Sequence, residues 1–138
     1  MAALTRAEFI ALARTWIDTP CLPSGAIKGV GASCGGLFLG IFREAGLDRL
    51  ASLFAAYEGF SRPPERRVLM GHLREAFDKT RAPEPADVLM IAFENGQAHM
   101  GLLTEPGRVL HADRGIKRVI EHRLVHRFDS GWRIRELA

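Results

Sequence analysis

A chain of 138 residues, 47% hydrophobic and 25% charged, is long enough to bury one real core and reads as a single domain over residues 1–138. No stretch approaches the roughly 20 consecutive apolar residues of a membrane span, so no membrane-spanning helix is expected, and no membrane partner. The net charge of +3 is modest, and aromatic residues do not interleave with the arginines of 62–81 and 108–135, so the excess reads as a solvated basic face and not as a nucleic-acid surface. The start Met1-Ala2-Ala3-Leu4-Thr5-Arg6 lacks a basic segment followed by an apolar one, so no signal peptide is expected and synthesis is assigned to the cytoplasm. Two cysteines, Cys21 and Cys34, make no disulfide framework.

Thr5-Arg6-Ala7-Glu8 has the form of a capping box, and Phe9, Leu12, Ala13, Trp16 and Ile17 recur behind it at helical spacing until Pro20. Residues 19–31, with Pro20, Pro23, Gly25, Gly29 and Gly31, form a loop. A second helix starts at about Ser33, buries Leu37, Phe38, Ile41 and Phe42, and ends at Gly46. Residues 48–60 are a short helix or irregular. A third helix is predicted from Pro64 to Lys79, with Val68, Leu69, His72, Leu73, Ala76 and Phe77 on one face. Pro83 and Pro85 mark a linker.

Beyond Pro85 the period changes. Val88-Leu89-Met90-Ile91-Ala92-Phe93 is a continuous apolar run suited to a central strand, and Asn95-Gly96 is a hairpin signal. Strands follow at 98–103, 108–112, 116–121, 123–128 and 132–136, with a turn at Thr104-Glu105-Pro106-Gly107. Helices first and an antiparallel meander afterwards is the α+β class.

Cys34 is the residue with chemistry. Ser33 is a strong N-cap, which puts the thiol at a helix N-terminus, where free N–H groups and the helix dipole favour an anion. Gly35 and Gly36 are poor helix formers and make sense if another chain or a substrate must approach the helix start closely. Downstream, His99 and His111 stand in consecutive strands. If Leu102 faces Arg108, the two histidines lie directly opposite each other on one face, and one can orient the other beside a nucleophilic cysteine. A one-residue slip would part them. His72 reads as structural, and His122 and His126 as surface residues. Cys34, His99 and His111 with Cys21 are also ligand types for zinc, although their spacing matches no zinc motif.

The motifs Trp16-Ile17-Asp18-Thr19-Pro20, Lys28-Gly29-Val30-Gly31-Ala32-Ser33-Cys34-Gly35-Gly36-Leu37, Ala86-Asp87-Val88-Leu89, His99-Met100-Gly101-Leu102 and Val109-Leu110-His111-Ala112, in this order, resemble the NlpC/p60 papain-like cysteine peptidases of cell walls. Within that family they are most similar to the stand-alone branch of phage tails and gene transfer agents. The resemblance implies a papain-like α+β fold, with N-terminal helices packed on a C-terminal antiparallel sheet. It implies Cys34 as nucleophile, His99 as general base and His111 as the orienting third member. Cys21, Ser33 and Gly35 fall at substrate-binding positions. The implied reaction is hydrolysis of peptidoglycan stem peptides next to D-glutamate through a thioacyl intermediate, with no metal and no cofactor. Phage-tail or particle proteins are the implied partners, and a phage-like particle the implied location. Three positions depart from the family pattern: Ser33 stands where aspartate precedes the nucleophile, Cys21 where a tyrosine follows Thr-Pro, and Ala86 where a glycine precedes Asp87. The first two departures motivate an alternative, a tail-assembly or wall-binding protein of the same fold that has lost the chemistry.

Overall fold

The computed structural model describes residues 3–59, 65–92, 97–125 and 127–138. Four helices come first: α1 (Arg6–Arg14), α2 (Cys34–Ala45), α3 (Asp48–Phe54) and α4 (Arg66–Ala76). A two-residue hairpin, β1 (Ala26–Ile27) with β2 (Gly31–Ala32), lies within the loop ahead of α2. The strands β3 (Asp78–Thr80), β4 (Val88–Ala92), β5 (Ala98–Glu105), β6 (Arg108–Asp113), β7 (Arg118–Arg123) and β8 (Phe128–Arg133) make one antiparallel sheet in the order β3-β8-β4-β5-β6-β7. This is the α+β architecture expected.

The capping box at α1 is complete: Glu8 N–H donates to Thr5 Oγ1 and Thr5 N–H to Glu8 Oε1, each at 3.0 Å. α2 carries the largest apolar load. Leu37, Phe38, Leu39, Ile41 and Phe42 are all fully buried, and Phe42 stacks among Phe9, Phe38, Phe54 and Phe77. Each fully buried side chain of this size stabilises the fold by about 1.5–3 kcal/mol. Gly46 ends the helix in the left-handed conformation, as anticipated.

Several sequence expectations are corrected. The third helix stops at Ala76 and not at Lys79, because Asp78–Thr80 pairs with Gly131–Arg133 as an edge strand. Val68 on that helix is 40% exposed. Among the described residues of 123–128, Leu124, Val125 and Arg127 lie outside any strand: β7 ends at Arg123, and the last strand is Phe128–Arg133 instead of 132–136. That last strand also breaks the meander, crossing to the far side of β4 so that Val88 faces Trp132 while Leu102 flanks it on the other side. β4 is central, as its unbroken apolar run requires. The Asn95-Gly96 turn lies outside the described residues.

Even-numbered residues of β5 and β6 (Met100, Leu102, Leu110, Ala112) join the main core with the helices. The odd-numbered residues form the other face. That alternation places His99 and His111 together.

Candidate active site

Cys34 is the first residue of α2. Ser33 caps the helix through its Oγ, which accepts from Gly36 N–H at 3.0 Å, and its own N–H donates to Gly25 O at 3.1 Å. The glycines after the cysteine have a definite cause. A Cβ on Gly36 would lie 1.8 Å from Gly25 O, and one on Gly35 would lie 2.2 Å from a ring carbon of Tyr57. The close approach is made by this chain's own loop and aromatic ring, and not by another chain or a substrate as expected. No side chain larger than hydrogen fits there without moving the Gly25 backbone or the Tyr57 side chain.

The Cys34 thiol is half-buried. Burial pushes its pKa from the ordinary 9.0 up to about 11, the Cys21 sulfur adds to the rise, and the Met100 backbone N–H and Arg114 oppose it. Met100 follows His99, so the peptide joining these two residues is the one that meets the sulfur. β5 and β6 are paired at Leu102↔Leu110 and Leu103↔Val109. Cys21 reaches the site because its segment runs alongside Ala32, two residues before Cys34. Its own thiol is half-buried and raised by that burial. Tyr57, from the 3₁₀ turn Ala55–Gly59, packs against the same helix start, and its phenol is driven far up by burial and by the nearby Cys34. Its Oη bonds His72 Nδ1 at 2.5 Å, which gives His72 the structural partner expected of it.

The histidines meet in a different register from the one anticipated. Leu102 pairs with Leu110, not Arg108, so His111 is displaced by two residues from the position facing His99. A two-residue offset keeps both on the same face, and diagonal neighbours stay within reach of long or aromatic side chains. His99 Nε2 and His111 Nδ1 are 2.7 Å apart, with ring centroids at 4.9 Å, and both residues are 5% exposed.

His122 is the correction at this site. It is half-buried on β7 opposite Val109, on the same face as His111. Its Nε2 lies 2.7 Å from His111 Nε2, and its Nδ1 lies 2.7 Å from Arg123 O. The alternation of β7 was the available signal, since burying Val119 in the core turns residue 122 to the opposite face, the one that carries His111. Reading the 122/126 spacing only as a helical motif hid it. His126 lies outside the described residues.

Asp113 sits at the edge of this group, 3.9 Å from His111 Nε2. Burial pushes its carboxyl up, but the Ile116 and Gly115 N–H groups and the nearby His111 and His99 rings outweigh that and hold it below the usual range. The metal quartet conceived from sequence is not what forms: among the described residues, the group whose ligand atoms converge is His111, Asp113 and His122, all within 4.8 Å. The 2.7 Å between the two Nε2 atoms is hydrogen-bond spacing.

Among the described residues no helix is long and apolar enough to cross a membrane. Neither a protein-family model nor a curated protein sequence matches the chain. Solved structures do. The NlpC/p60 domain of the peptidoglycan hydrolase SagA superposes with a TM-score of 0.67 at 16% identity, covering 95% of this chain and 100% of that one. An NlpC/p60 family protein from Bacillus cereus gives 0.68 at 15% identity, over 96% of this chain but only 41% of its own. The peptidoglycan hydrolase RipB from Mycobacterium tuberculosis gives 0.61 at 18%, over 94% and 64%. The order of helices and strands, the helix that starts at Cys34 and the strand that carries His99 are thus parts of one recognisable architecture: the chain has the fold of NlpC/p60 domains.

Proposed function

We propose that this protein is a peptidoglycan hydrolase, a cysteine endopeptidase that cuts stem peptides next to D-glutamate. The observation that carries the reading is the His99–His111 hydrogen bond of 2.7 Å on the strand whose Met100 N–H meets the Cys34 thiol. The fold shared with peptidoglycan hydrolases supports it.

With its pKa near 11, Cys34 rests as a thiol at neutral pH. The nucleophile is therefore made at the moment of attack. His99 takes the Sγ proton as the sulfur adds to the scissile carbonyl carbon. The oxyanion forms at the start of α2, where the Cys34 backbone N–H and the helix dipole favour negative charge. Collapse breaks the C–N bond, and His99 returns its proton to the leaving amine. His99 then deprotonates a water that cleaves the thioester and restores the thiol. His111 keeps the His99 ring in place throughout. Cys21 forms a wall of the site where the family has a tyrosine, and Ser33 and Gly35 shape the helix start against which the substrate carbonyl docks.

Purified protein is expected to release shorter muropeptides from cell walls, and Cys34→Ala to remove that activity with the fold intact. Equal inertness of wild type and Cys34→Ala on several wall chemotypes overturns the enzyme reading in favour of a structural or wall-binding role.

A further inference from the structure

The three histidines of the β5–β7 face are joined end to end. His99 Nε2 meets His111 Nδ1, His111 Nε2 meets His122 Nε2, and His122 Nδ1 meets Arg123 O, each at 2.7 Å. Two of these contacts are between ring nitrogens, so each leaves open which nitrogen holds the hydrogen. The third does not. A carbonyl oxygen only accepts, so His122 must present Nδ1–H to Arg123 O.

The remaining hydrogens follow one by one. A neutral imidazole has a single ring N–H, so His122 Nε2 carries a lone pair and accepts. His111 Nε2 must then be the donor, which leaves His111 Nδ1 as an acceptor. His99 Nε2 must in turn donate to it, and the lone pair of His99 is fixed at Nδ1. The Asp113 carboxylate, 3.9 Å from His111 Nε2, favours a hydrogen on that same nitrogen. In the opposite sense of the chain the His99 lone pair would be consumed by His111, and the ring would have none left for an incoming proton.

We propose that His122 is a positioning residue, which transmits the direction set by the Arg123 carbonyl through His111 and locks His99 in the Nε2–H tautomer that leaves Nδ1 as the base. The catalytic meaning of this lock rests on the peptidase reading above, whereas the placement of the ring hydrogens does not. No group beyond the three rings and one main-chain carbonyl is required.

The test uses the full chain labelled with 15N-histidine at about pH 8, where imidazoles are neutral, and long-range 15N–1H correlation of the ring nitrogens. The expected pattern is Nε2–H on His99 and His111 and Nδ1–H on His122. An Nδ1–H on His99 or His111, an Nε2–H on His122, or hydrogen-free Nε2 atoms on both His111 and His122, as a shared metal ion would demand, overturns it. In His122→Ala the anchor is gone, and His111 and His99 are expected to show mixed tautomers. His122→Gln keeps an acceptor oxygen near the Nε2 position and is expected to restore the single pattern. On wall substrate, His122→Ala is expected to lower kcat about tenfold with KM unchanged, and His122→Gln to recover most of it. Wild-type tautomers in His122→Ala overturn the proposal. A wild-type protein that hydrolyses no wall peptide overturns the peptidase reading instead, and the nitrogen pattern still decides the lock.

Discussion

Cys34 stands between opposing influences. The start of α2 offers it backbone N–H groups and a positive dipole end, and Met100 N–H and Arg114 pull its pKa down, yet burial wins and the thiol titrates near 11. Alkylation by iodoacetamide should therefore keep accelerating through pH 9 and 10. A rate already level between pH 6 and 8 would mean a preformed thiolate. The same shift has a sign in stability. A thiol raised in the folded state contributes fully below its ordinary value of 9.0, and the contribution is lost as pH rises towards 11. Wild type should lose stability over that window relative to Cys34→Ala, as urea titrations at several pH values would show. This residue was legible in the sequence because Ser33, Cys34 and two glycines are local signals. Of its environment only Cys21 was anticipated, through the family resemblance; Tyr57 and Met100 arrive from two other distant segments.

At the scale of elements, Glu121 ties the helical layer to the sheet. It lies on β7 opposite Leu110, on the face turned to the core, and receives Arg14 of α1 at 2.9 and 3.0 Å, Thr104 of β5 at 2.9 Å and Arg108 of β6 at 3.3 Å. The Arg14 bonds first, then Thr104 and Arg108, hold its carboxyl down to about 2 against the opposing effect of burial. A lowered carboxylate stabilises the fold above its ordinary value of 4.5 and ceases to do so as pH falls through about 2. Discounted for the partly exposed arginines, the contribution at pH 7 is about 2 kcal/mol. Glu121→Gln should lower the thermal midpoint at pH 7, and the difference from wild type should close as pH drops from 4.5 to 2. The β7 residue after it, His122, faces the other way into the histidine chain, so one strand serves packing on one face and the site on the other. The strand itself was foreseen near 116–121. Its two tasks were not, because they depend on which residues of β6 it pairs with.

At the scale of the whole molecule, Asp87 joins parts of the chain far apart in sequence. Its side chain is fully buried, bonded to Arg6 at 2.7 Å, to Arg133 at 3.2 and 2.9 Å, and to Glu84 N–H at 2.8 Å. Burial pushes its pKa up, but Arg133, the Glu84 N–H and Arg6 together hold it below the usual range. Ala86 beside it takes a φ of +77°, a conformation glycine adopts more cheaply. Asp87→Ala removes the acceptor shared by two partly exposed arginines and the Glu84 N–H, and should cost about 1–3 kcal/mol in chemical denaturation. The start of α1, the approach to β4 and the end of β8 should loosen together, seen as faster amide exchange in all three.

The sequence by itself determined the starts of α1 and α2, the strand-rich stretch beyond Pro85 and the placement of Cys34 at a helix N-terminus; it put His99 and His111 on one face only under an assumed register. These depend on caps, turn residues and periodicity, which act over a few residues along the chain. Only the tertiary structure decided the Leu102↔Leu110 register, the return of β8 beside β4 and the entry of His122. Those are choices among pairings of distant segments with the same alternation. The whole core selects among them, because each candidate buries the same residues locally but only one satisfies every strand and helix at once.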